Sequence, residues 1–170
     1  MDNEKGERGM NLKLARIAEA ETKNNYHGNT LAAIGNLQVL REHFPPSVTV
    51  EDLEGDWSGA FAYHCAVLAG SSLPPKYPDP RVRGCFNLVS SWWEYARLPK
   101  IRILHSPAEL PEVGDLAVFR LSSEKPPMIG IVLSVGEGSV ELAMGDYHNH
   151  SAIAERPLNE LMEGFIRLER

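Results

Sequence analysis

The stretch Gly55-Asp56-Trp57-Ser58-Gly59-Ala60-Phe61-Ala62-Tyr63-His64-Cys65-Ala66-Val67-Leu68-Ala69-Gly70 decides how the rest of the chain is read. Phe61, Cys65 and Leu68 recur at intervals of four and three, which puts them on one face of a helix. Asp56 or Ser58 offers a side-chain oxygen to the first turn, and Gly70 offers the left-handed conformation that ends a helix. The spacing predicts a buried central helix that begins near Ser58.

Toward the amino terminus, Leu12, Leu14, Ala15, Ile17, Ala18 and Ala20 recur at near-helical spacing and predict an amphipathic helix over 11–23. Leu31, Ile34, Leu37 and Leu40 predict a second helix that begins after Thr30 and ends before Pro45-Pro46. Residues 1–10 read as a polar extension and 11–170 as a single domain, a length ordinary for one core. Toward the carboxyl terminus, residues 71–80 hold four prolines and predict a loop, followed by a short helix over 88–96 that carries Trp92 and Trp93.

From Val113 onward the apolar period shortens, and 116–120, 129–134, 140–144 and 165–168 read as strands. Helices first and strands last predict an α+β domain with an antiparallel sheet packed on the central helix. Gly136-Glu137-Gly138 reads as a hairpin turn. A three-residue turn would set Met128 opposite Asp146, and a two-residue turn would set it opposite Tyr147.

Composition narrows the function classes. A formal net charge of −6 argues against a protein held to nucleic acid mainly by phosphate contacts. Two cysteines, Cys65 and Cys85, are too few for a disulfide scaffold or a structural zinc site. No apolar run approaches the roughly 20 residues that span a bilayer. The charged first nine residues lack an apolar export segment and read as those of a cytoplasmic chain. No motif calls for a cofactor.

Five landmarks in order carry a resemblance: Trp57-Ser58-Gly59-Ala60-Phe61; Pro111-Glu112-Val113-Gly114-Asp115 running on to Phe119; Met128-Ile129-Gly130-Ile131-Val132; Gly145-Asp146; and Gly164-Phe165-Ile166-Arg167. In this order the chain resembles the CHAP and NlpC-type cell-wall hydrolases, which are papain-like cysteine enzymes, over about residues 12–168. The resemblance implies a papain-like fold. It also implies a cysteine nucleophile at a helix tip, a histidine base on a facing strand and a polar residue that orients the imidazole.

At the matching positions stand Ser58, Met128 and Asp146. An alcohol is a weaker acid than a thiol and depends more on a neighbouring base, and a thioether cannot take a proton. The resemblance therefore implies a catalytically degenerate member, a pseudoenzyme. Its vestigial groove, formed by Trp57, Ser58, Trp92, Trp93, Met128, Asp146 and His148, would bind a peptide, a cell-wall fragment or a protein partner. The alternative is an active amidase or peptidase with a rearranged site, using Ser58 or Cys85 and a histidine such as His105 or His148.

The remaining signals have plain readings beside the chemical ones. Ser58 also reads as a simple helix cap. His64, six residues further along, falls off its face and reads as a half-buried or surface side chain. His105 precedes Ser106-Pro107 in a predicted loop. Asp146, His148 and His150 share strand parity, so an extended chain would gather them on one side, whether as a solvated strand end or as a weak metal or acid-base cluster. Arg81 and Arg83 would favour a thiolate at an exposed Cys85.

Overall fold

The computed structural model describes residues 3–168. It is α+β: four helices and an open antiparallel sheet of six strands. The helices are α1 (Asn3–Thr22), α2 (Gln38–Arg41), α3 (Ser58–Ala69) and α4 (Val89–Ala96). The strands are β1 (Leu104–His105), β2 (Leu116–Phe119), β3 (Met128–Val135), β4 (Ser139–Tyr147), β5 (His150–Pro157) and β6 (Met162–Ile166), in the order β1-β6-β2-β3-β4-β5.

The predicted central helix is α3, buried over nearly its whole length. Gly70 ends it at φ 101°, its N–H donating to Val67 O at 2.9 Å while Ser71 N–H donates to Ala66 O at 2.9 Å. Leu68, expected on the apolar face, lies instead on the exposed side of the last turn. α1 buries Leu14, Ala15 and Ala18 as predicted, leaves Leu12 exposed and begins already at Asn3, so residues 3–10 of the stretch read as a polar extension are helical.

The second predicted helix does not form over 31–37. The Thr30 hydroxyl oxygen accepts the N–H groups of Ala32 (3.2 Å) and Ala33 (2.9 Å), a local turn that competes with helical bonding. Only Gln38–Arg41 is helical, with Leu37 and Leu40 reaching the core. The sheet also has two strands the sequence pattern did not give, β1 and β5. β1 is a two-residue edge, and β5 is half-exposed with an irregular apolar pattern.

Side chains alternate cleanly across the sheet. Leu116, Val118, Ile129, Ile131, Ala143 and Ile166 share one apolar cluster with α3, whereas Ala117, Phe119, Met128, Val132, Leu142, Met144 and Phe165 form a second one. The sheet curls around this second cluster, which brings Arg156 of β5 to 5.5 Å above the Phe119 ring of β2 although β3 and β4 lie between those strands.

The β3–β4 turn contains both predicted registers. Gly136 N–H donates to Ser139 O across Glu137-Gly138, a two-residue turn, and Val135 pairs with Val140. An irregularity between Val132 and Ser134 then absorbs one residue, so Val132 pairs with Leu142 and Gly130 with Met144, the register of the longer turn. Extended to the end of β3, that register runs from Met128 toward Asp146.

Two of the landmarks have structural explanations. Gly114 sits at φ 91° against α1, where an added Cβ would fall 2.3 Å from Asn11 O. Next to it Asp115, with no exposed surface, accepts two bonds from Arg167 (Nε and Nη2, both 2.9 Å) and one from the Glu112 N–H (2.8 Å). This clasp ties the entry of β2 to the exit of β6. Asp115→Ala should destabilise the fold by about 3 kcal/mol, because it takes a fully buried carboxylate away from a largely buried guanidinium whose other carboxylate partner, Glu112 at 3.1 Å, is exposed. Urea denaturation of the variant against the native chain measures it.

Candidate functional site

The amino end of α3 is the place where the sequence expects chemistry, and it is closed. Ser58 has no exposed surface. Its hydroxyl donates to Asp56 Oδ1 at 2.8 Å, and its oxygen accepts the Ile129 N–H of β3 at 3.3 Å. The side chain therefore acts as a strut between the turn before α3 and the first residues of β3. The backbone N–H of Ser58 also donates to Asp56 Oδ1 (3.1 Å), and that of Trp57 donates to Asp146 Oδ2 (3.3 Å). Trp57 occupies the N-cap position; the carboxylate of Asp56, one of the two residues the sequence offered, takes the first helical N–H, and Asp146 from the sheet takes the N–H of Trp57 itself.

Met128 does not face this hydroxyl. It is buried among Phe119, Met144 and their neighbours on the other side of the sheet, whereas its successor Ile129 shares the α3 side. None of the six histidines bonds to the Ser58 oxygen. His43 pairs with His64 (2.7 Å), His64 with Glu21 (3.0 Å), His105 with Glu109 (2.9 Å) and His27 with Gly28 O (3.1 Å). His148 packs edge-on to Tyr147, and His150 lies beside His27.

The predicted groove is not one surface. Trp57 and Trp92 are fully buried, with the Trp92 indole donating to Phe86 O at 2.9 Å. Trp93 is half-buried on the β1–β6 side, where Gly164 packs on its ring and Arg97 stacks 4.6 Å from the ring centroid. Asp146 and His148 lie on the β4–β5 side. Asp146, His148 and Asn149 have φ of 60°, 53° and 66°, so the chain is not extended there and strand parity fails to gather Asp146, His148 and His150. Among the described residues no group of three or more His, Cys, Asp or Glu is arranged to hold a metal ion.

Three other expectations change. His105 belongs to edge strand β1, paired with Phe165, and its ring is held by Glu109. Cys85 is half-buried, and burial pushes its thiol up; the arginines expected to acidify it are held by carboxylates, Arg81 by Asp79 and Arg83 by Glu94. His64 is buried instead of half-exposed. It lies in a relay that the sequence reading missed: His43 Nε2 bonds to His64 Nδ1, His64 Nε2 bonds to the Glu21 carboxylate, and the Tyr26 hydroxyl donates to Glu21 at 2.7 Å. Each of these residues is unremarkable in its own sequence context, so only the packing of α1 and the α2 turn on α3 reveals the relay.

The electrostatics at the α3 tip are those of crowded carboxylates. Burial pushes the Asp56 carboxyl up, against the restraint of its two bonds from Ser58. Burial also pushes Asp146 up to about 6; the Trp57 N–H opposes this, and the negative charges of Asp56 and Glu54 add to it. A scan of family models, curated proteins and solved structures found no match to the chain.

Because folding raises the Asp146 pKa, the folded state holds this proton more tightly than the unfolded chain does. The resulting stabilisation is present at acid pH and is lost as pH rises through about 6. Asp146→Asn keeps an acceptor for the Trp57 N–H and removes the charge. It should raise the melting temperature by about 1–3 °C at pH 8 and by nothing near pH 4. Thermal melts of both proteins across this range check the sign.

Proposed function

We propose that this chain is a catalytically silent relative of the papain-like CHAP and NlpC-type hydrolases that works as a binding module. The observation that carries the reading is the state of Ser58: a fully buried hydroxyl whose proton is directed at Asp56 and whose oxygen is taken by a backbone N–H. A nucleophile needs a base that can receive its proton and an open approach for the substrate. The Asp56 carboxylate could receive a proton, but a side chain without exposed surface gives no approach.

What the tip still presents to solvent is the half-exposed pair Asp56 and Asp146, with exposed His148 two residues further along the chain. A peptide, a cell-wall fragment or a protein partner would meet these groups. The pair favours a ligand that brings an ammonium or guanidinium group. Among the described residues no helix is long and apolar enough to cross a membrane, so this reading needs no bilayer.

An active enzyme with a rearranged site remains the competing account. It would need Ser58 to swing out toward a histidine, or the raised thiol of Cys85 to be deprotonated by one. Incubation of the purified protein with peptidoglycan sacculi and with short muropeptides is expected to release no new amine or peptide termini, with Ser58→Ala matching the native chain. Turnover by the native chain that vanishes in Ser58→Ala would overturn the proposal. In the binding arm, muropeptide addition should shift the NMR signals of His148 and of the Asp146 amide, and Asp146→Lys should weaken that response at least 10-fold, the scale of one charged contact.

A further inference from the structure

Residues 29–36 form a rigid loop with an apolar tip. Within it, Thr30 N–H donates to Ala33 O at 2.9 Å, Gly35 N–H to Asn29 Oδ1 at 2.7 Å, and Asn36 N–H to His27 O at 3.0 Å. Its foot is fastened to neighbours: Asn29 N–H donates to Glu54 (3.0 Å to Oε2), and Gly28 N–H donates to Asn149 Oδ1 at 3.0 Å. On this frame Leu31 and Ile34 stand in water at 112% and 90% relative exposure. Single exposed aliphatic residues are ordinary on protein surfaces, but two on one internally bonded loop make a fixed apolar projection.

A receptor of matching size lies at the opposite end of α3. Past Gly70, the side chains of Met10, Leu73, Tyr95, Ile101, Ile103 and Leu168, together with Gly70, Ser71 and Ser72, line a cavity of about 180 Å³. A cavity near 150 Å³ accommodates a benzene molecule, so this volume admits the end of a branched aliphatic side chain against its apolar part. The charges around the two features are complementary. Lys13 reaches Gly70, exposed Lys100 and Arg102 flank Ile101, and none of the three takes part in an ion pair among the described residues. The turn that holds the loop's foot carries Glu51, Asp52 and Glu54.

We propose that copies of this chain associate head to tail, with Leu31 and Ile34 of one copy seated in the cavity beyond Gly70 of the next. This proposal is independent of how the Ser58 region is read. The loop is anchored just before α3 and the cavity opens just after it, so loop and receptor lie at opposite ends of one 12-residue helix. The contact is therefore heterologous: each added copy leaves one loop and one cavity free, and assembly continues until it closes into a ring or stops at low concentration. Two aliphatic anchors make a small interface, so association falls in the range of roughly tens to hundreds of micromolar.

Sedimentation velocity over a concentration series tests this. The native chain should show a mean mass that climbs with concentration and falls with added salt. The loop variant Leu31→Asp/Ile34→Asp and the cavity variant Leu73→Glu should each remain monomeric, with melting curves close to the native one. Mixed in equal amounts, they should form a heterodimer and nothing larger, because one supplies an intact cavity and the other an intact loop. If Leu73→Glu fails to fold, Ser72→Trp blocks the same mouth from an exposed position. A native chain that stays monomeric up to about 1 mM, a loop variant that associates as the native chain does, or folded variants that fail to pair would overturn the proposal.

Discussion

A helix whose first turn is buried must satisfy its leading N–H groups without water, and two carboxylates take those of Trp57 and Ser58 at the start of α3. Asp56 takes the Ser58 N–H from the preceding turn, and Asp146 takes the Trp57 N–H from β4. The rest of the molecule is arranged around this solution. Because Asp146 must reach the helix, β4 passes close to α3, and an added Cβ on Gly145 would lie only 2.5 Å from Phe61 Cβ. The positive end of the helix dipole favours negative charge there, while burial and mutual repulsion disfavour it. Burial, with the neighbouring Asp56 and Glu54 charges, pushes the Asp146 carboxyl up to about 6.

The same constraint explains Ser58. Its hydroxyl completes the coordination of Asp56 and engages the β3 backbone, so an alcohol at this position has a structural task that would exist with no reaction at all. Met128 serves the other apolar cluster, where a thioether packs without any polar partner to find. An imidazole there would have to bury a nitrogen among Phe119, Met144 and Phe165. Serine and methionine are each suited to the surroundings they occupy.

Polar groups elsewhere follow a related pattern, in which buried charge joins distant segments. Asp115 and Arg167 join β2 to the chain leaving β6, and Glu21, His64 and His43 join α1 to α3 and the turn after α2. Between these clasps the chain is held mainly by apolar packing, including an aromatic cluster in which Phe86 stacks on Tyr63, packs tilted against Trp92 and meets Tyr95 edge-on. The exposed loop 29–36 departs from this pattern, since its hydrogen bonds close on themselves and on its foot, and its aliphatic side chains touch nothing within the fold.

The sequence by itself determined α3, its left-handed stop at Gly70, the amphipathic α1, the short α4, four of the strands and the α+β class. Those features depend on local periodicity, capping and turn chemistry, which a linear pattern records. It misled at 31–37, where apolar spacing suited a helix but a threonine hydroxyl and flanking asparagines offered the backbone a competing set of bonds. It missed β5, where burial alternates but the apolar residues Ala152, Ile153 and Ala154 run together and Ile153 faces solvent, so the sequence shows no period of two. Only the tertiary structure decided which carboxylates take the leading N–H groups of α3, that Met128 turns away from Ser58, that the predicted tryptophan wall is split, and that His64 is buried in a relay. Each of these depends on which strand or helix lies opposite, and a bulge of one residue in β3 is enough to reset that pairing.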